Sequence, residues 1–294
     1  MKKYNPQIIA AIVLIMIASE LSNIIFREIF HNVPFWLNVS KLCILVISAV
    51  AFLFIKKLKH LFKFAIVLAT MVSFSIFYNH SYITSYFNSE SFVGSISTNI
   101  SYKIINILLL IIVFIIVSKH PKNFYLTFGN LSIKAEEIKW LGIKGETISW
   151  LKLSLYSAFF ISTVTFFLTL FTVTGFKIPE RIFLLPKYLP VILLFAAVNS
   201  FAEGIMCRNA ILGSLRNTIS KKYTLLISGI FFGLLHYYGA PAGVTGVIMS
   251  ALLGWYLSRS MYETNGLLSA WIIHFFTDVA VFTSLFLFGN LTIN

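Results

Sequence analysis

The chain has little charge, less acid and almost no cysteine. Only 11% of its 294 residues are charged, against roughly 25% in an ordinary soluble domain. That shortage excludes the solvated surface of a soluble enzyme and the composition of a disordered hub. Asp and Glu number 10 against 23 Lys and Arg, and Asp278 is the only aspartate. The 2 cysteines, Cys43 and Cys207, both fall in apolar runs, which excludes a disulfide scaffold. There is no internal repeat and no low-complexity tract.

Apolar side chains fill the space. Hydrophobic residues make up 58% of the chain, and the mean hydropathy is +0.88. A soluble core of this size leaves too much surface in water to hide so much apolar area. The solvent is therefore lipid, and the fold class is an all-α polytopic transmembrane helical bundle. Taking about 20 apolar residues per crossing gives about nine spans (eight to nine), at roughly 7–26, 36–55, 62–78, 102–118, 153–173, 188–208, 223–238, 241–259 and 267–288. The opening Met1-Lys2-Lys3 and the apolar run from Ile8 have the form of a signal sequence. No small-residue cleavage site follows, so the run is expected to stay as the first helix.

The net charge of +13 is explained by Lys and Arg gathered in cytoplasmic loops, so no nucleic-acid partner is expected. With nine spans, the basic groups at 56–63, 119–152 and 208–222 all fall on the side of the N-terminus. That places the N-terminus in the cytoplasm. The stretch 119–152 is polar and rich in turn residues, including Pro121, Gly129, Gly142 and Gly145. It reads as a cytoplasmic and interfacial linker, with Trp140 at the membrane boundary. It separates an N-terminal four-helix region, 1–118, from a C-terminal transmembrane domain, 153–294.

Ionisable groups at membrane depth are costly and mark function by default. They are Glu20, Lys41, Lys103, Glu203, Arg208, His236, His274 and Asp278. Glu20 and Lys41 are expected to pair or to snorkel, and Lys103, at a helix start, to reach the interface. The remaining five cluster in the last hundred residues. His274 and Asp278 are four apart, as are Phe232 and His236, and Asn199 and Glu203, so each pair shares a helix face. If the sixth and seventh runs form a hairpin about Thr218–Ser220, Glu203 and His236 lie at similar depth. Gly213 suits the end of the sixth helix, and Gly229 with Gly233 would let helices approach closely.

Two chemistries fit such a cluster. In one, Glu203 is a general base for water, His236 shares that water, and His274 stabilises an oxyanion. In the other, His236, His274, Glu203 and Asp278 supply the ligands of a divalent metal such as zinc. Spacing alone does not choose between these, or between a hydrolase and a proton-coupled transporter.

Three segments narrow the choice: FAEGIMCRN (201–209), FFGLLH (231–236) and HFFTD (274–278). In order and spacing they resemble the motifs EExxxR, FxxxH and HxxxN or HxxxD of the CPBP family. That family comprises the CAAX prenyl proteases and bacteriocin-processing (Abi) proteins. The resemblance covers a motif core at about 190–288, and it implies that 153–294 is a protease domain. It implies an intramembrane endopeptidase, commonly termed a metalloprotease, acting on peptide precursors or membrane-anchored proteins within a bacterial cell membrane. Carried over by position, Glu203 and His236 would activate water, and His274 and Asp278 would stabilise the oxyanion or hold the site. Arg208 matches the motif's arginine. Gly204 stands where the motif has its second Glu, so the partner expected for Arg208 is absent. Arg208 is then expected to find another carboxylate or to face water and headgroups. A non-catalytic immunity protein that binds a toxic peptide remains the alternative, as does a proton-coupled carrier.

Overall fold

The structure, a computed structural model, describes residues 5–78, 90–118, 120–174, 179–239 and 241–289. Lys2, Lys3, Lys119 and Lys177, which enter the charge distribution, lie outside the described residues, as does the opening Met1-Lys2-Lys3. Among the described residues the regular elements are helical, with isolated antiparallel bridges at Lys134–Ser149 and Ile138–Ile143. Lipid offers no hydrogen bonds to a backbone, so apolar runs must satisfy their own N–H and C=O groups, and the helix does so.

The α-helices are α1 (Pro6–Ala18), α2 (Leu21–Phe30), α3 (Phe35–Phe54), α4 (Phe62–Tyr78), α5 (Phe92–Ser118), α6 (Trp150–Thr174), α7 (Leu185–Glu203), α8 (Ala210–Ser214), α9 (Lys221–Leu234), α10 (Gly243–Thr264) and α11 (Leu268–Phe288). The Asn5 side chain accepts from Gln7 N at 2.9 Å, and Pro6 follows in the first turn, a favourable helix start. A π-helical stretch, Gly204–Asn209, lies between α7 and α8. The chain folds into two compact units, 1–80 with 106–127 and 205–262, and 81–105 with 128–204 and 263–294. These units interleave along the chain, whereas the sequence reading divides it in order at 118 and 152.

Six described helical segments are long and apolar enough to cross a membrane. They are α3, Lys59–Ile76, α5, Trp150–Phe171, Glu180–Ser214 and α11. The count rises to seven if α1 and α2, bent by 44° at their break, form one span. The expectation of about nine spans is corrected accordingly. The seventh run forms α9, whose 14 residues reach only ~21 Å against a hydrocarbon core of ~30 Å. The eighth forms α10, where Arg259, Glu263 and several serines dilute the apolar residues. The chain is still a multi-pass integral membrane protein.

In the first unit, the two glycines of α9 do what their spacing suggests. A Cβ on Gly229 would come within 2.8 Å of Ala251 O, and one on Gly233 within 2.5 Å of Val247 O. α9 therefore lies almost backbone to backbone against α10. Ser228 supports the contact, with its Oγ 2.8 Å from Ser258 Oγ and donating to Cys207 O at 2.9 Å. Lys41 does not snorkel. It is buried, and its Nζ donates to Ser19 O at 3.1 Å and Asn23 Oδ1 at 2.8 Å. Asn23 donates in turn to Glu20 Oε2 at 2.9 Å, so Glu20 and Lys41 meet through an amide.

In the second unit, α11 packs against α6 and α7. Phe92, Ile96 and Ile100 recur at one-turn spacing on α5 and join Tyr188, Ile192 and Phe195 of α7 with Phe286 and Leu287 of α11. Polar bonds fix the register. Ser154 Oγ lies 2.7 Å from Ser269 Oγ, and Trp271 Nε1 donates to Ala197 O at 3.2 Å. The polar segment after 127 is tied down by buried Glu263, whose Oε2 accepts from Glu136 N at 3.0 Å and Trp150 Nε1 at 2.9 Å. Trp140 and Leu141 stay exposed at its turn.

Replacing Gly233 with leucine drives a side chain into the α10 backbone. Overpacking of this kind costs about 1–3 kcal/mol. The variant is expected to melt several degrees lower in detergent than the parent, while Leu226→Ala, at an exposed position of the same helix, does not.

Candidate active site

The second unit gathers polar groups from three helices. Lys103 sits eleven residues into α5 and not at a helix start, so the expectation that it reaches the interface is corrected. Its Nζ donates to Glu203 Oε1 at 2.6 Å and makes a closer bond to Asn199 Oδ1. Asn199 and Glu203 lie one turn apart near the end of α7, on one face, as their spacing requires. Asn199 Nδ2 points to Glu203 Oε1 at 3.3 Å and donates to Asp278 Oδ2 at 2.9 Å. His274 and Asp278 face the same place from α11. His274 Nε2 lies 3.4 Å from Glu203 Oε2 and 3.5 Å from Asp278 Oδ1.

The cluster thus holds two carboxylates, one ammonium, one imidazole and one amide. His274 is nearly buried, with 3% of its side chain exposed, while Glu203 retains 16%. The base is reachable and the imidazole is enclosed. Two acceptors face His274 Nε2, so this nitrogen carries hydrogen and acts as a donor. The ammonium of Lys103 compensates carboxylate charge where water is scarce. Asn199 spans both acids, accepting from Lys103 and donating toward each carboxylate.

Glu203, His274 and Asp278, all singled out from the sequence, meet here. Lys103 and Asn199 complete the cluster, and sequence reasoning gave neither a role in it. The signals were present: a lone lysine in an apolar run, and an asparagine one turn before the glutamate. What was missing was the knowledge that α5 begins ten residues earlier than its most apolar stretch.

His236 and Arg208 belong to the first unit. His236 follows the last turn of α9, and its Nδ1 lies 2.8 Å from Phe232 O. A carbonyl only accepts, so Nδ1 donates and leaves Nε2 with the lone pair in the neutral ring. Arg208 does not face water or headgroups. It is fully buried, with its guanidinium carbon 5.3 Å over the Phe232 ring. It lies in the π-helical stretch, so the α-helical spacing from residue 204 does not describe its direction.

Among the described residues, no group of three or more His, Cys, Asp or Glu is arranged to hold a metal ion. The ammonium of Lys103 on Glu203 Oε1 also puts a cation where a dication would need the carboxylate. As they stand, these donors do not fit a divalent metal.

Residues 185–280 match the family model "Type II CAAX prenyl endopeptidase Rce1-like", consistent with a CPBP-family intramembrane protease. The matched stretch contains Asn199, Glu203, Arg208, His236, His274 and Asp278. No curated protein and no solved structure matches the chain. The family match supports protease activity in general, on membrane-anchored protein or peptide substrates.

Removing Lys103 alone strands a carboxylate, whereas removing both partners does not. Lys103→Met is expected to cost about 1–3 kcal/mol of stability. Lys103→Met with Glu203→Gln should recover most of it, as read by thermal melting of the purified protein in detergent.

Proposed function

We propose that the chain is an intramembrane endopeptidase in which Glu203 is the general base for the attacking water. The observation that carries this reading is the placement of Glu203. Its Oε1 is held by Lys103 at 2.6 Å, and its Oε2 faces the His274 donor at 3.4 Å. A carboxylate has lone pairs enough for these neighbours and a water. The water would give its proton to Glu203 as its oxygen attacks the scissile carbonyl carbon. His274 Nε2–H would turn from the carboxylates to the oxyanion formed in that step, where a fixed donor in dry surroundings is most effective. Asp278 and Asn199 position His274 and Glu203, and the proton on Glu203 would pass to the leaving amine. His236 enters through its motif position as a second group acting on the water, with Nε2 as its acceptor. Arg208, held over Phe232, is a positioning residue.

The substrate class that suits this site is a peptide precursor or a membrane-anchored protein cut near the cytoplasmic face. The lysine-rich connections 56–63 and 119–152 would face the cytoplasm of a bacterial cell. Bacteriocin-type precursors are the first candidates.

Cells producing the wild-type protein or Glu203→Ala at matched membrane levels decide the matter. Newly formed protein termini and released peptides are compared by mass spectrometry. Termini present with the wild-type protein should vanish with Glu203→Ala, and should fall at least tenfold with His274→Ala, since one lost oxyanion donor costs about 10²–10³ in rate. Identical termini in all strains, beside a phenotype that Glu203→Ala preserves, would replace this reading with that of a peptide-binding immunity protein.

A further inference from the structure

The first unit contains a cavity of about 380 Å³ that the reaction does not use. Lys59, His60 and Lys63 line it from the connection between α3 and α4, and Arg216 lines it from the turn after α8. Leu53, Phe62 and Phe124 give it an apolar wall. No carboxylate lines the cavity. The chain segments that build it, 53–63, 118–127 and 213–222, contain no Asp or Glu at all. They do contain Lys56, Lys57, Lys122, Lys221 and Lys222 besides the lining cations. Arg216 is held in place, with its Nη1 donating to Lys122 O at 2.9 Å and its guanidinium carbon 5.0 Å over the Tyr125 ring.

Cations gathered without counter-charge repel one another, so they are stable together only beside an anion or in bulk water. The cavity sits where α3, α5 and the Glu180–Ser214 span end and the Lys59–Ile76 span begins. Apolar helix ends mark the boundary between hydrocarbon and water. An occupant must therefore be an anion with an apolar continuation. We propose that this cavity binds the headgroup of an anionic phospholipid, its phosphate between Lys59, Lys63 and Arg216 and its acyl part against Leu53 and Phe62. A free phosphate ion shares the first half of that chemistry and lacks the second. Arginine and lysine suit the two roles: a planar fork for phosphate oxygens and mobile point charges around it.

The test uses the full chain reconstituted in nanodiscs of phosphatidylcholine, alone or mixed with phosphatidylglycerol, with retained lipid counted by native mass spectrometry. The wild-type protein should retain at least about tenfold more phosphatidylglycerol than Lys59→Gln/Lys63→Gln/Arg216→Gln, given what each basic group contributes beside an anionic lipid. Lys56→Gln/Lys57→Gln, which removes neighbouring charges outside the cavity, should retain as much as wild type. Inorganic phosphate at millimolar concentration should displace none of it. Equal retention by wild type and the cavity variant overturns the proposal. So does equal loss in the two variants, which would mean attraction to a diffuse basic face. Displacement by inorganic phosphate would assign the cavity to a soluble anion instead. If the cavity variant melts lower than wild type in phosphatidylcholine alone, Lys59→Arg/Lys63→Arg decides: retained phosphatidylglycerol upholds the site, and its loss overturns it.

Discussion

A carboxylate inside an apolar helical bundle must have its charge compensated within reach, and Lys103 does this for Glu203. The partners come from helices almost a hundred residues apart in sequence, so the bond also sets how α5 stands against α7. Around it, Asn199 links the two acids and His274 faces both. Each of these side chains leans on the others. This is the expected economy of polar groups in lipid, where an unsatisfied group costs more than in water and neighbours must share donors and acceptors.

The rest of the bundle is held by small residues and single polar bonds. Apolar side chains gain little from leaving lipid for one another, so close backbone approach and buried hydrogen bonds supply specificity. Gly229 and Gly233 admit the α10 backbone. Ser228 with Ser258, Ser154 with Ser269, and Trp271 with Ala197 O fix the register of neighbouring helices. The π-helical turn after Glu203 interrupts the helix beside the presumptive base. Such turns change the direction of the following side chains. Gly204, the one departure from the motif, lies at this interruption and not in the middle of an unbroken helix.

Chemistry and lodging are separated in this chain. The carboxylates at membrane depth in its C-terminal part meet in one cluster with a lysine, and that cluster suits proton transfer to and from a peptide bond. The uncompensated cations gather at helix ends, around a cavity that suits an anion at the membrane boundary. A composition with 23 basic and 10 acidic residues thus leaves most of its positive charge outside any ion pair, available to the membrane surface.

The sequence alone determined the class of solvent, the all-helical architecture and the residue types able to carry chemistry. Composition and run length are local properties, and burial in lipid leaves the backbone little choice. It also determined Glu203, His274 and Asp278, because a four-residue spacing on a helix needs no partner to be read. Tertiary structure decided what periodicity could not express. It decided that α9 is too short to span, and that α1 and α2 are bent apart at Ser19 and Glu20. It decided that the wide turn at 204–209 takes Arg208 out of the α-helical register. Above all, it decided that Lys103 serves Glu203, since an ion pair between distant helices depends on their packing and leaves no trace in the spacing of either one.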